Sequence, residues 1–87
     1  MTLINGLVIN IVDDDTFEMK VERTGGGYYQ GDRLTVKIDE TAAKPLGHQY
    51  TLDFLEKEYL RKRERCVVRK RDNQVMAIKV DLLPEND

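Results

Sequence analysis

Leu7, Ile9 and Ile11 alternate with Val8, Asn10 and Val12 in an apolar run over residues 3–12, and a period of two predicts a strand with a buried inner face. Gly6 marks a bend or bulge within it. Residues 16–23 alternate more cleanly. Phe17, Met19 and Val21 point one way, and Thr16, Glu18, Lys20 and Glu22 the other, as in an antiparallel strand with one wet face. Gly25-Gly26-Gly27 then turns the chain, and Tyr28 and Tyr29 lead into a third strand whose inner face is Leu34, Val36 and Ile38. Three glycines beside two tyrosines resemble a phosphate loop, but no P-loop lysine or helix start follows, so the stretch reads as a hairpin turn.

Residues 40–47 hold Pro45 and Gly47 and read as a connection. Leu52, Leu55 and Tyr59 then recur at spacings of three and four, predicting a helix over residues 50–63. Its acids come first (Asp53, Glu56, Glu58) and its bases last (Arg61, Lys62, Arg63), the order that suits the helix dipole. Residues 65–71 and 75–82 read as two further strands, the second with Met76, Ile78, Val80 and Leu82 on one face. Asp72 and Asn73 between them tolerate positive φ and suit a two-residue hairpin. The expected interior is Ile9, Ile11, Phe17, Met19, Val21, Leu34, Val36, Ile38, Leu55, Val68, Ile78 and Val80. Three strands, a helix and two strands give an all-β, five-stranded OB-fold, expected as a closed antiparallel barrel over residues 1–83 with an acidic tail over 84–87. An SH3-like barrel has no place for so long a helix.

Composition narrows the class. Among 87 residues, 40% are apolar and 34% charged, which describes one small globular domain of modest stability rather than a disordered chain. The lone cysteine, Cys66, allows no internal disulfide and reads as a small buried hydrophobe. No basic region precedes the first apolar run, and Asn5, Gly6 and Asn10 interrupt it, so neither a signal peptide nor a membrane span is expected and the protein reads as cytoplasmic. Charge is unevenly spread: residues 61–71 carry seven Lys/Arg against one acid, within an otherwise acidic chain.

The candidate chemistry sits at two acidic corners. Asp13, Asp14 and Asp15 are adjacent at the first chain reversal, and Asp39 and Glu40 end the third strand. Close carboxylates repel unless a cation joins them, so the corners are expected to converge on one site for a hard divalent ion with oxygen ligands.

With Val12-Asp13-Asp14-Asp15-Thr16 after strand one, Arg33-Leu34 and Ile38-Asp39 in strand three, and a closing hairpin, residues 7–81 resemble the staphylococcal-nuclease-like family of calcium-dependent phosphodiesterases. The resemblance implies calcium held by Asp15 and Asp39, with Asp14 at the family's turn glycine and Glu40 beside it. It also implies two catalytic arginines and a glutamate base. Here Leu34 stands at the first arginine, Ala42 at the base, and Gln74 or Val75 at the second arginine. Arg33, Glu40 and Arg71 are the nearest replacements, and Arg33 is one residue out of register, which turns a strand side chain to the opposite face. Little or no nuclease activity is therefore expected.

The favoured function is a non-catalytic module binding single-stranded nucleic acid. Arg61, Lys62, Arg63, Arg65, Arg69, Lys70 and Arg71 would track phosphates, while Tyr28, Tyr29 or Tyr59 would stack on bases. The alternatives are a divergent nuclease and a protein-interaction module. The family's helices beyond the barrel have no counterpart before Asp87, and the face they would cover is expected to allow a homodimer. His48 has no partner in the sequence and joins none of these sites.

Overall fold

The computed structural model describes residues 1–84, and the rest of the expected acidic tail, residues 85–87, lies outside the described residues. Five strands close into a barrel: β1 (Thr2–Asp13), β2 (Thr16–Thr24), β3 (Arg33–Ile38), β4 (Arg63–Arg71) and β5 (Gln74–Leu82). Around the ring the order is β1-β2-β3-β5-β4, with β4 returning to β1. Between β3 and β4 lie α1 (Glu40–Ala43), a 3₁₀ turn (Lys44–Leu46) and α2 (Leu52–Glu58). This is the all-β, OB-like architecture and strand order that the alternating segments predict.

The barrel is not antiparallel throughout. β3 and β5 run parallel, with Val36 opposite Val75 and Ile38 opposite Ala77. A ring with an odd number of strands cannot reverse direction at every neighbour, so a parallel pair is unavoidable. The β4–β5 hairpin follows its sequence signal, with φ of 51° at Asp72 and 65° at Asn73.

The helix over residues 50–63 proves much shorter. Thr51 caps α2 by accepting from the Phe54 amide at 3.1 Å, so this helix starts only at Leu52. At the other end Arg61 takes a left-handed φ of 64°. Its amide donates to the Val8 carbonyl, and the Val8 amide donates to Lys62, so β1 takes the backbone groups that further helix would have used. The connection over 40–47 is in turn partly helical, because Asp39 caps α1 by accepting from the Thr41 amide.

The apolar interior has two parts. Inside the barrel are Ile4, Val8, Phe17, Met19, Val21, Val36, Cys66, Val68, Val75 and Ala77. At the mouth, Ile38, Ala42, Tyr50, Leu55 and Tyr59 form a second cluster, and Ile11 and Val80 touch both. Ile9 and Ile78, expected inside, are only half-buried, and both fall at bulges. Val8 pairs with Met19 and Asn10 with Glu18, leaving Ile9 extra; Val67 pairs with Lys79 and Val68 with Ala77, leaving Ile78 extra. An extra residue reverses the phase of the strand beyond it. β1 therefore buries Ile4 and Val8 before its bulge and turns Ile11 inward after it, while β5 buries Val75 and Ala77 and then turns Val80 inward. Met76 and Leu82 are not in the core, and Leu34 is half-buried against it. Gly6 is fixed by close approach: a Cβ there would stand 2.5 Å from the Lys20 carbonyl oxygen.

Candidate functional site

One backbone bond joins the acidic corners, and a second ties the later corner to β5. The Ile38 amide donates to the Asp15 carbonyl at 2.6 Å, and the Asp39 amide donates to Ala77 on β5 at 2.8 Å. Asp14, Asp15, Asp39 and Glu40 thus line one cleft of about 420 Å³, completed by Lys44, His48 and Tyr50 from the connection to α2. One oxygen of several carboxylates is already engaged. Asp13 Oδ1 accepts from the Asp14 amide, Asp15 Oδ1 from the Thr16 hydroxyl, and Asp39 Oδ2 from both the amide and the hydroxyl of Thr41. The Thr41 hydroxyl is the main reason the Asp39 carboxyl sits below its ordinary range; the Thr41 amide and the positive charge of Arg69 act in the same direction.

Among the described residues the tight carboxylate set is Asp13, Asp14 and Asp15, whose ligand atoms lie within 4.8 Å of one another. Opposite oxygens around a calcium ion stand about 5 Å apart, so this turn matches the span of a hard cation. The pairing expected from the sequence, Asp15 with Asp39, is thus a looser relation: Asp39 and Glu40 share the cleft wall with Asp15, outside that set.

The proposed catalytic replacements are not brought together. Glu40 is at the cleft, whereas Arg33 opens β3 opposite Lys20, six strand residues or about 20 Å before Asp39. Arg71 lies opposite Gln74 at the hairpin end of β4, which the strand directions put at the Arg33 end of the barrel. Ala42, at the place of the base, is buried in the mouth cluster. The cation whose charge reaches Asp39 is Arg69.

The basic band divides in two. Arg63 Nε donates to both carboxylate oxygens of Glu22, at 3.0 and 3.2 Å. Arg65 Nε donates to Asn5 Oδ1 at 3.3 Å and is paired in register with Asp81. Arg61 and Lys62 belong to the turn after α2. Arg69, Lys70 and Arg71 are all exposed, and opposite them on β5 stand Met76, Val75 and Gln74, none of them acidic. The β2–β3 connection reaches the same end of the barrel. There Tyr29 is 79% exposed, its amide held by Asp32 Oδ2, while Tyr28 is half-buried against the barrel core.

Two residues passed over in the sequence acquire surroundings here. His48 lines the cleft, packs edge-on against Phe54 with ring centroids 5.0 Å apart, and donates Nδ1–H to the Gln49 carbonyl. A single histidine in a connection carries no periodic signal that would have marked it. Glu64 is a fully buried carboxyl inside the barrel. Its position between Arg63 and Arg65 disguised it as part of a charged run, although alternation with Cys66 and Val68 puts it on the inner face.

No protein-family model, curated protein or solved structure matches the chain. Its class rests on architecture: a closed five-stranded OB-like barrel with an acidic cleft at one end and, along β4, a cationic run whose Arg69 reaches Asp39 of that cleft. No helix among the described residues is long and apolar enough to cross a membrane.

Proposed function

We propose that this barrel is a non-catalytic binding module for single-stranded nucleic acid, gripping phosphates at the end formed by the β4–β5 hairpin and the β2–β3 connection. The observation that carries this reading is the run Arg69-Lys70-Arg71, exposed and with no acid opposite it on β5. Lys20 and Arg33 add to it: like charges directly across a strand pair are destabilising unless an anion bridges them. Tyr29 supplies an exposed ring near these cations for stacking on a base. Arg63 and Arg65, already engaged by Glu22 and Asn5, serve the barrel wall instead. Hydrolysis is not part of this reading, because Arg33 lies about 20 Å from Asp39 and buried Ala42 stands where a base is needed, and a phosphodiesterase needs its cations and base around one phosphate.

The test is anisotropy of labelled oligo-dT and oligo-U across a salt series. Wild-type affinity should fall steeply with salt, and the doubly substituted Arg69→Gln/Arg71→Gln protein should bind weakly with a flatter slope. Equal binding by the two proteins rejects this face, and no binding by the wild type favours a protein ligand instead.

A second ligand, calcium at the Asp13-Asp14-Asp15 turn, is favoured by the spacing of those carboxylates. The ion would neutralise the acidic end, where the charge of Arg69 already reaches Asp39.

A further inference from the structure

Neither proposed ligand uses Glu64. It projects from β4 into the interior, fully buried, and neither Oε1 nor Oε2 has a hydrogen-bond partner. Its cross-strand neighbour on β1 is Gly6, which brings no side chain, and its neighbour on β5 is Leu82. The titratable groups coupled to it are Cys66 on β4, Asp81 on β5, Tyr50 ahead of α2 and Tyr59 behind it, none of them cationic. The two tyrosine hydroxyls, 3.0 Å apart, bond to each other rather than to the carboxyl. Burial pushes Glu64 up to about 9, and the charge of Asp81 acts in the same direction.

The mouth above this part of the barrel is filled by Leu55 of α2 and by the flanking Tyr50 and Tyr59. α2 has seven residues, too few to be stable as a helix once detached. We propose that α2 is a proton-coupled plug: seated, it seals Glu64 in the barrel as the neutral acid, and lifted, it lets water reach the carboxyl, which releases its proton.

The equilibrium converts a closed state with a carboxylic acid into an open state with a carboxylate and a free proton. Between the ordinary glutamate value of 4.5 and about 9, the closed state holds one proton more than the open one. The open fraction therefore rises by up to about tenfold per pH unit across that window, which includes neutral pH. Because Tyr50 both lines the acidic cleft and is bonded to Tyr59, lifting the plug also removes part of the cleft wall. Seating of α2, and with it the shape of the cleft, is thus tied to proton concentration.

Amide hydrogen exchange followed by NMR from pH 5.5 to 7.5 tests this on the whole chain. The Leu55 and Tyr59 amides, bonded to the Thr51 and Leu55 carbonyls, report on α2, and the Val21 amide, bonded to the Asp32 carbonyl just before β3, reports on the barrel wall away from α2. After correction for intrinsic exchange, the opening constant at Leu55 and Tyr59 should rise about tenfold per pH unit in the wild type. It should stay flat in Glu64→Gln, and in Glu64→Met should the glutamine protein fail to fold. Both amides should be less protected than Val21. A flat α2 profile in the wild type, an unchanged slope in the variants, or protection equal to that of Val21 would each overturn the plug.

Discussion

Ile38 and Asp15 are joined by a 2.6 Å bond from amide to carbonyl, which fixes the last residue of β3 to the turn that follows β1. The carboxylates of that turn therefore approach Asp39 with little freedom, and an ion bound there should stiffen both strands. Calcium titrated into the protein should give heat that is lost in Asp15→Ala and reduced in Asp39→Ala. At a calcium concentration a hundredfold above Kd, the thermal midpoint should rise by the equivalent of about 2.7 kcal/mol. Identical heats from the wild type and Asp15→Ala would remove the ion from this turn.

Stability should fall as pH rises from 6 to 8. A carboxyl raised to about 9 keeps its proton in the folded state, while the unfolded chain releases it near 4.5. The contribution of Glu64 is therefore greatest below 4.5, declines by about 1.4 kcal/mol per pH unit up to 9, and is constant above. Glu64→Gln should abolish this slope, and Glu64→Met should be the more stable protein at pH 8 because no carboxyl is left to desolvate. Urea midpoints at pH 6, 7 and 8 decide it.

Gly6→Ala should cost about 1–3 kcal/mol, since its methyl meets backbone at 2.5 Å and β2 must move to admit it. Gly25→Ala is the control. Its nearest neighbour would be the Leu3 carbonyl oxygen at 3.6 Å, an ordinary contact, and the change should stay within about 0.5 kcal/mol. Similar urea midpoints for the two variants would contradict the close approach of β1 and β2.

Arg63 and Arg69 lie on the same strand and should behave differently. Arg69→Gln should lower the salt slope of oligonucleotide binding by about one, the signature of a lost phosphate contact. Arg63→Gln should leave that slope alone and cost under about 1 kcal/mol of stability, because its ion pair with Glu22 is solvent-exposed. The reverse result would move the binding face to the opposite half of β4.

Most of the barrel was legible because period-two alternation survives wherever strands pair without interruption, as in Phe17, Met19 and Val21. It failed at Ile9 and Ile78, where a bulge inserts one residue and shifts the phase; neither carries a glycine or proline to announce it. Helix length was overread because Arg61, Lys62 and Arg63 look equally at home in a last helical turn and in a strand, and only the bond from Arg61 to Val8 decides between them. The acidic corners were readable from local sequence, since each lies at a strand end. That Arg71 lies toward the Arg33 end of the barrel was not, because its place depends on strand direction around the ring.

β1 is hydrogen-bonded on one side to β2, its neighbour in sequence, and on the other to β4, with Thr2 opposite Val68. During synthesis the first hairpin can form early, but one flank of β1 has nothing to pair with until most of the chain exists. Ile4 and Val8 wait beside an open edge for that time, and an open apolar edge is where chains join one another instead of themselves. Closing the ring late also makes folding slow for so small a protein, since its defining pairs join the two ends of the sequence. Yield in the cell should thus respond to translation rate and to chaperones more than the stability of the finished barrel would indicate.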